Sequence, residues 1–419
     1  MNNDDTRFAS GIKSLLDGYV ERRQIPGYGY AIDLHGSRLA TGFGGASSLE
    51  TGAPLRADSV FRIFSMSKPI TSVAAMMLVE NGSLELDGPI TRYVPELQSV
   101  RVYQNVGLHG TLATVPLVRP ITLRHLLTHT AGFTYHFMAD RFNIEGPVQQ
   151  LYRRHGIKPS AVRVAPLAED PSPQQAENGF IAALAAVPLV HQPGVAFEYS
   201  VAVDVIGIVL SRVTGRALDE FLEEALFAPL GMVDTAFHVP PCKLHRFTSS
   251  YRTSPTGLQL VDAVNHSDYR DKPTFFSAGG GLVSTVEDYL RFARMLLGQG
   301  EFGGRRYLSP ATVAEMSLPQ VTDDALGAST MDVSKGTGFG LGLGIFRDEE
   351  LAQTPVAPGS LFWGGAASTH FWIDPKHELA AVVMTQVLDN DADRLDRAVH
   401  RQIYEHGVLK ADIEFAREC

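Results

Sequence analysis

The stretch FRIFSMSKPITSVAAMMLVENGSL, residues 61–84, sets a polar cluster, Ser65-Met66-Ser67-Lys68, directly ahead of an apolar helical run. Ile70, Val73, Ala74, Met77 and Leu78 recur at helical spacing, and Asn81-Gly82 supplies the stop. Pro69 belongs in the first turn, where its missing N–H costs least, so the helix is predicted to begin very near Ser65. Residues three apart share a helix face, which lets Ser65 Oγ and Lys68 Nζ meet, whereas Ser67 and its neighbour Lys68 cannot. Ser65 is therefore the candidate nucleophile. The helix start adds N–H groups without intrahelical partners and the positive end of the helix dipole, both useful where an oxyanion develops. Lys68 supplies a proton acceptor or a cation beside the hydroxyl. Alone, the pattern also fits a helix cap with a solvated lysine, so its reading depends on its company.

The whole chain has 419 residues, 44% hydrophobic and 20% charged, with a formal net charge of −10. That suits a large globular core in two or three domain-sized units or one two-lobed body. The acidic balance and the lack of a basic block argue against nucleic-acid partners. No basic n-region with an apolar h-region opens the sequence, and no run of about 18 apolar residues follows, so a cytoplasmic location away from membranes is expected. Two cysteines, Cys242 and Cys419, form neither a disulfide framework nor a metal-ligand spacing.

Outward from the opening stretch, Phe8, Ile12, Leu15, Leu16 and Tyr19 mark an N-terminal helix, and two strand-like runs meet at His35-Gly36 as a hairpin. The middle reads mostly helical, including ITLRHLLTHTAG from Ile121, ENGFIAALAAVPLV and the run from Val201 to Gly215. Residues 135–175 are largely irregular. After Gly281 come one amphipathic helix, STVEDYLRFARMLLGQG, and strand-like runs GFGLGLGIF, SLFWGG, STHFWIDP and ELAAVVMTQVL. This order predicts an α/β lobe from residues 1–60 and 275–419, a helical lobe from 61–274, and a cleft between them as the site.

Two further motifs accompany Ser65-x-x-Lys68. Tyr199-Ser200 lies on a turn leading into a helix, and Trp363-Gly364-Gly365 brings bare backbone along a strand. Either alone reads as ordinary packing. In this order they resemble the family VIII carboxylesterases, which share the fold of class C β-lactamases and DD-peptidases: an antiparallel sheet flanked by helices with an inserted, mostly helical lobe. ITLRHLLTHTAGF, PLGMVDTAF and SAGGGLVSTVEDYLRF extend the likeness over about residues 8–407. The resemblance implies Ser65 as nucleophile, Lys68 as its partner and Tyr199 as general base. It also implies Trp363, Gly364 and Gly365 lining the pocket, with the N–H groups of Ser65 and Ala366 as oxyanion donors. The chemistry agrees, since a phenol with an ordinary pKa of about 10 becomes a base only where a cation favours phenolate.

Relatives that act on lactams carry Tyr-x-Asn and a Lys or His at the start of the third motif. Here Val201 and Trp363 stand there. The first change removes an amide for a substrate acylamino group, and the second replaces a cation with an apolar wall. A neutral carboxylic ester of short to medium acyl chain is the expected substrate, hydrolysed through acyl-Ser65 without a cofactor. Tyr135, Phe137, Phe142 and Tyr152 of the irregular region are expected to shape the pocket, with Tyr135 and Phe137 as substrate-binding candidates.

Rival readings are an acyltransferase using the same acyl-enzyme, a weak β-lactamase or DD-peptidase, and an inactive binding module. Retention of Ser65, Lys68 and Tyr199 together counts against the last. No Gly-x-Ser-x-Gly elbow supports an α/β-hydrolase. His125 and His129 stand four apart, but no His-Glu-x-x-His or third ligand forms, so bonds to backbone or loops are expected and no metal. GFGLGLG, residues 338–344, lacks dinucleotide spacing and reads as one twisted strand near the pocket. Gly279-Gly280-Gly281 reads as a tight turn rather than a phosphate cradle. Oligomeric state is left open.

Overall fold

In the computed structural model, which describes residues 3–106, 111–137, 146–157, 171–329, 335–388 and 395–405, the N-terminal periodicity forms helix α1, Asn3–Glu21. Its Phe8, Ile12, Leu16 and Tyr19 are buried in one cluster with Tyr28, Tyr30 and Ile32 of strand β1, Gly27–Leu34. His35 and Gly36, at φ of 49° and 74°, make the expected tight turn into β2, Ser37–Ser48.

Among the described residues the main sheet has eight strands. Their order is β4 (Thr337–Phe339), β5 (Gly344–Phe346), β6 (Leu361–Gly365), β7 (Thr369–Asp374), β8 (Leu379–Met384), β1, β2 and β3 (Ala53–Pro54). Neighbours pair antiparallel, and the sheet joins early to late sequence where Gly29 faces Met384 and Leu34 faces Leu379. Side chains alternate between faces, as strand geometry requires. Ala31, Phe371, Ile373, Val382 and Met384 share a core with Tyr289 and Phe292 of α5, Val286–Leu297. Trp372, Ala381 and Val383 point the other way, toward α1 and the Leu395, Val399 and Ile403 stripe of α6, Leu395–Tyr404.

The opening stretch forms α2, Ser67–Glu80, which is buried along nearly its whole length and packs on α4, Ala202–Thr214. Gly215 ends α4 in the left-handed conformation. Helix α3, Pro173–Ala185, starts at a capping box in which Ser172 and Gln175 satisfy each other's backbone N–H.

Two expectations change. Residues 338–344 do not form one strand: β4 and β5 are a hairpin whose connection includes Gly342 at φ 84°. The middle also holds sheet, in the hairpins Val102–Val106 with Leu112–Val115 and Ser250–Ser254 with Gly257–Asp262. Among the described residues no helix is long and apolar enough to cross a membrane.

Candidate active site

Ser65 stands in a single 3-10 turn, Phe64–Met66, that runs directly into α2. The turn is entered through Phe64 at φ 42°, a conformation that is rare for an aromatic residue and persists only where neighbours enforce it. They do so on both sides. Ile63 N–H donates to Leu282 O at 3.1 Å, and Tyr289 Oη of α5 donates to Met66 O at 2.8 Å. Ahead of the turn, Arg62 is buried with its guanidinium on Asp262 Oδ2 (2.8 Å), Thr248 O (2.6 Å) and Ser267 Oγ (3.1 Å), stacked 4.0 Å over Phe247. The Gln386 side-chain amide brackets Arg62, accepting from its N–H at 3.1 Å and donating to its carbonyl at 3.0 Å.

Lys68 reaches the nucleophile candidate as the i, i+3 spacing predicts: Nζ donates to Ser65 Oγ at 3.2 Å. Its shorter bond, 2.7 Å, goes to the Gly279 carbonyl, and Lys68 itself is only 2% exposed. Ser67 faces elsewhere, accepting from Leu282 N–H at 3.2 Å. The triple glycine is a tight turn, with the N–H groups of Gly280 and Gly281 on Ser277 O.

Tyr199 is brought to the same place. Lys68 Nζ stands 4.6 Å from the centre of the Tyr199 ring and 5.5 Å from that of Tyr135. The Tyr199 ring is boxed by His129 at 4.8 Å, Tyr135 at 5.4 Å and Trp363 at 5.7 Å. Trp363 leans on Phe339 at 5.1 Å, and half-buried Phe137 stacks on Tyr135 at 4.6 Å, so the candidate wall residues meet around Lys68 and Tyr199. Burial, then the neighbouring Tyr199 and Asp204, push the Tyr135 phenol well above its ordinary value, which keeps it neutral. Tyr152 is buried behind this wall, its Oη accepting from Thr134 N–H at 3.4 Å; Phe142 lies outside the described residues.

Gly364 and Gly365 end β6, and Gly365 lies against the backbone of Ile63, where any side chain would collide with the Ile63 carbonyl. Exposed Ala366 opens the following turn, in which Ser368 N–H returns to Gly365 O at 3.1 Å. The turn bearing Ser65 and the strand end bearing Ala366 are thus adjacent.

The histidines bond as expected. His125 Nδ1 accepts from Thr122 N–H at 3.2 Å in a helix cap, and His129 Nδ1 accepts from Ser200 N–H at 3.3 Å. Burial, with the Lys68 charge second, holds His129 far below its ordinary range, so it is neutral. Among the described residues no cluster of His, Cys, Asp and Glu could hold a metal ion.

The sequence reading missed Asp204, which is fully buried one layer behind Lys68. Its Oδ1 accepts from Ser277 Oγ at 2.7 Å and Gly279 N–H at 3.1 Å. Burial raises its carboxyl, opposed by Ser277, Lys68 and Gly279. The available signal was a lone carboxylate in the otherwise apolar run VAVDVIGIVL.

Comparison with known proteins follows this geometry. The family model for Beta-lactamase matches residues 12–405. Protein Rv1367c of Mycobacterium tuberculosis is 37% identical over 352 residues, spanning 82% of this chain and 81% of that protein. Esterase EstB of Burkholderia gladioli is 28% identical over 398 residues, 91% of each chain. Among solved structures, EstCE1, a hydrolase with promiscuous acyltransferase activity, matches with a TM-score of 0.78 at 25% identity, covering 96% of this chain and 99% of its own.

Proposed function

The chain belongs to the β-lactamase family and has its fold, and we propose that it is a serine carboxylesterase of the family VIII type. It cleaves neutral esters of short to medium acyl chain through an acyl-Ser65 intermediate. The observation that carries this reading is the 3.2 Å bond between Lys68 Nζ and Ser65 Oγ, beside the Tyr199 ring. The likeness to Esterase EstB and EstCE1 supports it at the level of chemistry.

In this mechanism Ser65 Oγ attacks the ester carbonyl carbon while its proton passes to the Lys68 and Tyr199 pair. Negative charge on the carbonyl oxygen is met by the N–H groups of Ser65 and Ala366, fixed donors that need no reorganisation as the charge forms. The pair returns the proton to the alkoxide as the C–O bond breaks, and the alcohol leaves. Water then adds to the acyl carbon, gives its proton to the same pair, and Ser65 recovers a proton as the acid departs.

Neutral substrates are favoured by what flanks the pair. Val201 is buried and apolar where an amide would serve a peptide-like group, and Trp363 lines the wall with an aromatic face. Transfer of the acyl group to an added alcohol is a second reading, favoured by the likeness to EstCE1. A cytoplasmic location is proposed from the free, exposed Cys242, which suits a reducing compartment.

The deciding assay compares wild type with Ser65→Ala on p-nitrophenyl esters of rising chain length, on a chromogenic cephalosporin, and with an alcohol acceptor added. Ester turnover that disappears in the variant, with little lactam opening, is the expected result. A modest drop sinks the proposal.

A further inference from the structure

A carboxylate buried in an apolar helix costs free energy unless its oxygens are bonded, and Asp204 occupies such a place without touching the reacting groups of the mechanism. What it holds is a turn. Oδ1 takes Ser277 Oγ and Gly279 N–H, and a β-carbon on Gly279 would stand 2.9 Å from Oδ2, so the glycine backbone lies directly against the carboxylate. From the other side, Thr71 Oγ1 of α2 donates to Ala278 O at 2.9 Å, while Gly207 of α4 leaves room for the Ala278 methyl. Residues 277–281 are therefore wedged between α2 and α4, and the wedge presents one carbonyl, Gly279 O, to Lys68 Nζ at 2.7 Å.

That bond decides where the amine sits. A lysine has four rotatable side-chain bonds, and its contact with Ser65 Oγ, at 3.2 Å, is longer than its contact with Gly279 O. Were Gly279 to shift, the amine would shift with it, and displacements of about 1 Å in a reacting constellation can cost on the order of 10²-fold in rate. We infer that Asp204 is a positioning residue for acyl transfer: by fixing Gly279 it aims Lys68 Nζ at Ser65 Oγ. This rests on Ser65 being the nucleophile.

The test uses the full chain and reads the rate at which a fluorophosphonate labels Ser65, followed by intact mass, together with kcat and KM for p-nitrophenyl butyrate per titrated site. Thermal melts accompany each variant. Asp204→Ala is expected to slow labelling and kcat on the order of 10²-fold with KM little changed. Asp204→Asn keeps an oxygen that can accept both hydrogen bonds and is expected to recover to within several-fold of wild type, on the order of a normal loss of charge assistance. Gly279→Ala, whose methyl presses on Oδ2, is expected to fall about tenfold. Wild-type rates per site in Asp204→Ala, or equal damage in the alanine and asparagine variants, overturn the inference. If Asp204→Ala does not fold, Gly279→Ala decides, and wild-type rates there overturn it. A wild type that takes no label fails the Ser65 reading itself, whereas a wild type and an Asp204→Ala variant that label equally fast fail only the role of Asp204.

Discussion

Gly365 passes so close to Ile63 that a β-carbon on it would overlap the Ile63 carbonyl oxygen, two residues ahead of Ser65. This contact sets the gap between the turn that carries Ser65 and the strand end that carries Ala366. Gly365→Ala must push the two apart. We expect kcat for p-nitrophenyl esters to fall on the order of 10²-fold, the scale of losing one oxyanion donor. The melting temperature should change far less than activity does, and retention of full turnover would disconnect Ala366 from the oxyanion site.

Trp363 presents its ring to both Tyr199 and Phe339. Trp363→Ala removes apolar wall without removing Ser65, Lys68 or Tyr199. KM for a medium-chain ester is expected to rise about tenfold, the worth of one well-buried apolar contact, and KM for the acetate ester much less. Equal effects on both esters would mean that the ring does not touch the acyl chain.

Arg62 concentrates the packing beneath the turn that carries Ser65. Arg62→Ala removes the guanidinium donor from Asp262 Oδ2, Thr248 O and Ser267 Oγ at once, leaving Asp262 only the Ser267 hydroxyl. Removing one member of such a buried ionic cluster costs about 3 kcal/mol or more, read as a lower urea midpoint. Arg62→Lys should rescue little, because an ammonium cannot span three acceptors while stacking on Phe247.

Asp288, near the start of α5, has its carboxyl pushed up to about 6, chiefly by burial, against the hydrogen bonds it accepts from Asp234 N–H and Thr235 Oγ1. A carboxyl raised in the folded state binds its proton more tightly there than in the unfolded chain. Its stabilising contribution is therefore complete below the ordinary value near 4 and is lost as pH rises through about 6. The loss amounts to ~3 kcal/mol. Asp288→Asn cannot titrate, so unfolding midpoints at pH 4.5 and pH 7 should differ less in the variant than in wild type. Parallel changes in the two proteins would assign the pH dependence to other groups.

Much of the fold was legible because it is written in periodicity. The helix after Ser65, the hairpin at His35-Gly36 and the strands within residues 361–384 carry local patterns that tertiary contacts only reinforce, whereas residues 338–344, read as one strand, fold as a hairpin. The hairpin Ser250–Ser254 with Gly257–Asp262 was not, since Tyr251 is buried while Leu260 and Val261 are exposed, a mixture that blurs the two-residue alternation. Within the candidate site the pairing of Ser65 with Lys68 follows from helix geometry, and the gathering of Tyr199 and Trp363 was expected only from the company of motifs. Asp204 escaped because its partners, Ser277 and Gly279, are far along the chain, and no local pattern records a contact between α4 and a distant turn.

The close approach of Gly365 to Ile63 also has a consequence for how the protein comes into being. Ser65 leaves the ribosome long before Gly365 is made, by roughly 15 to 60 seconds at ordinary elongation rates. During that interval β1 lacks its partner β8, and the turn that carries Ser65 lacks the strand end against which it closes. On the proposed mechanism, a nascent chain carries the Ser65 hydroxyl without the strand end that would stabilise an oxyanion, and it is expected to stay inert toward esters until the late strands arrive. Pairing of such distant segments is slow, so ester turnover should appear after synthesis with a lag set by folding.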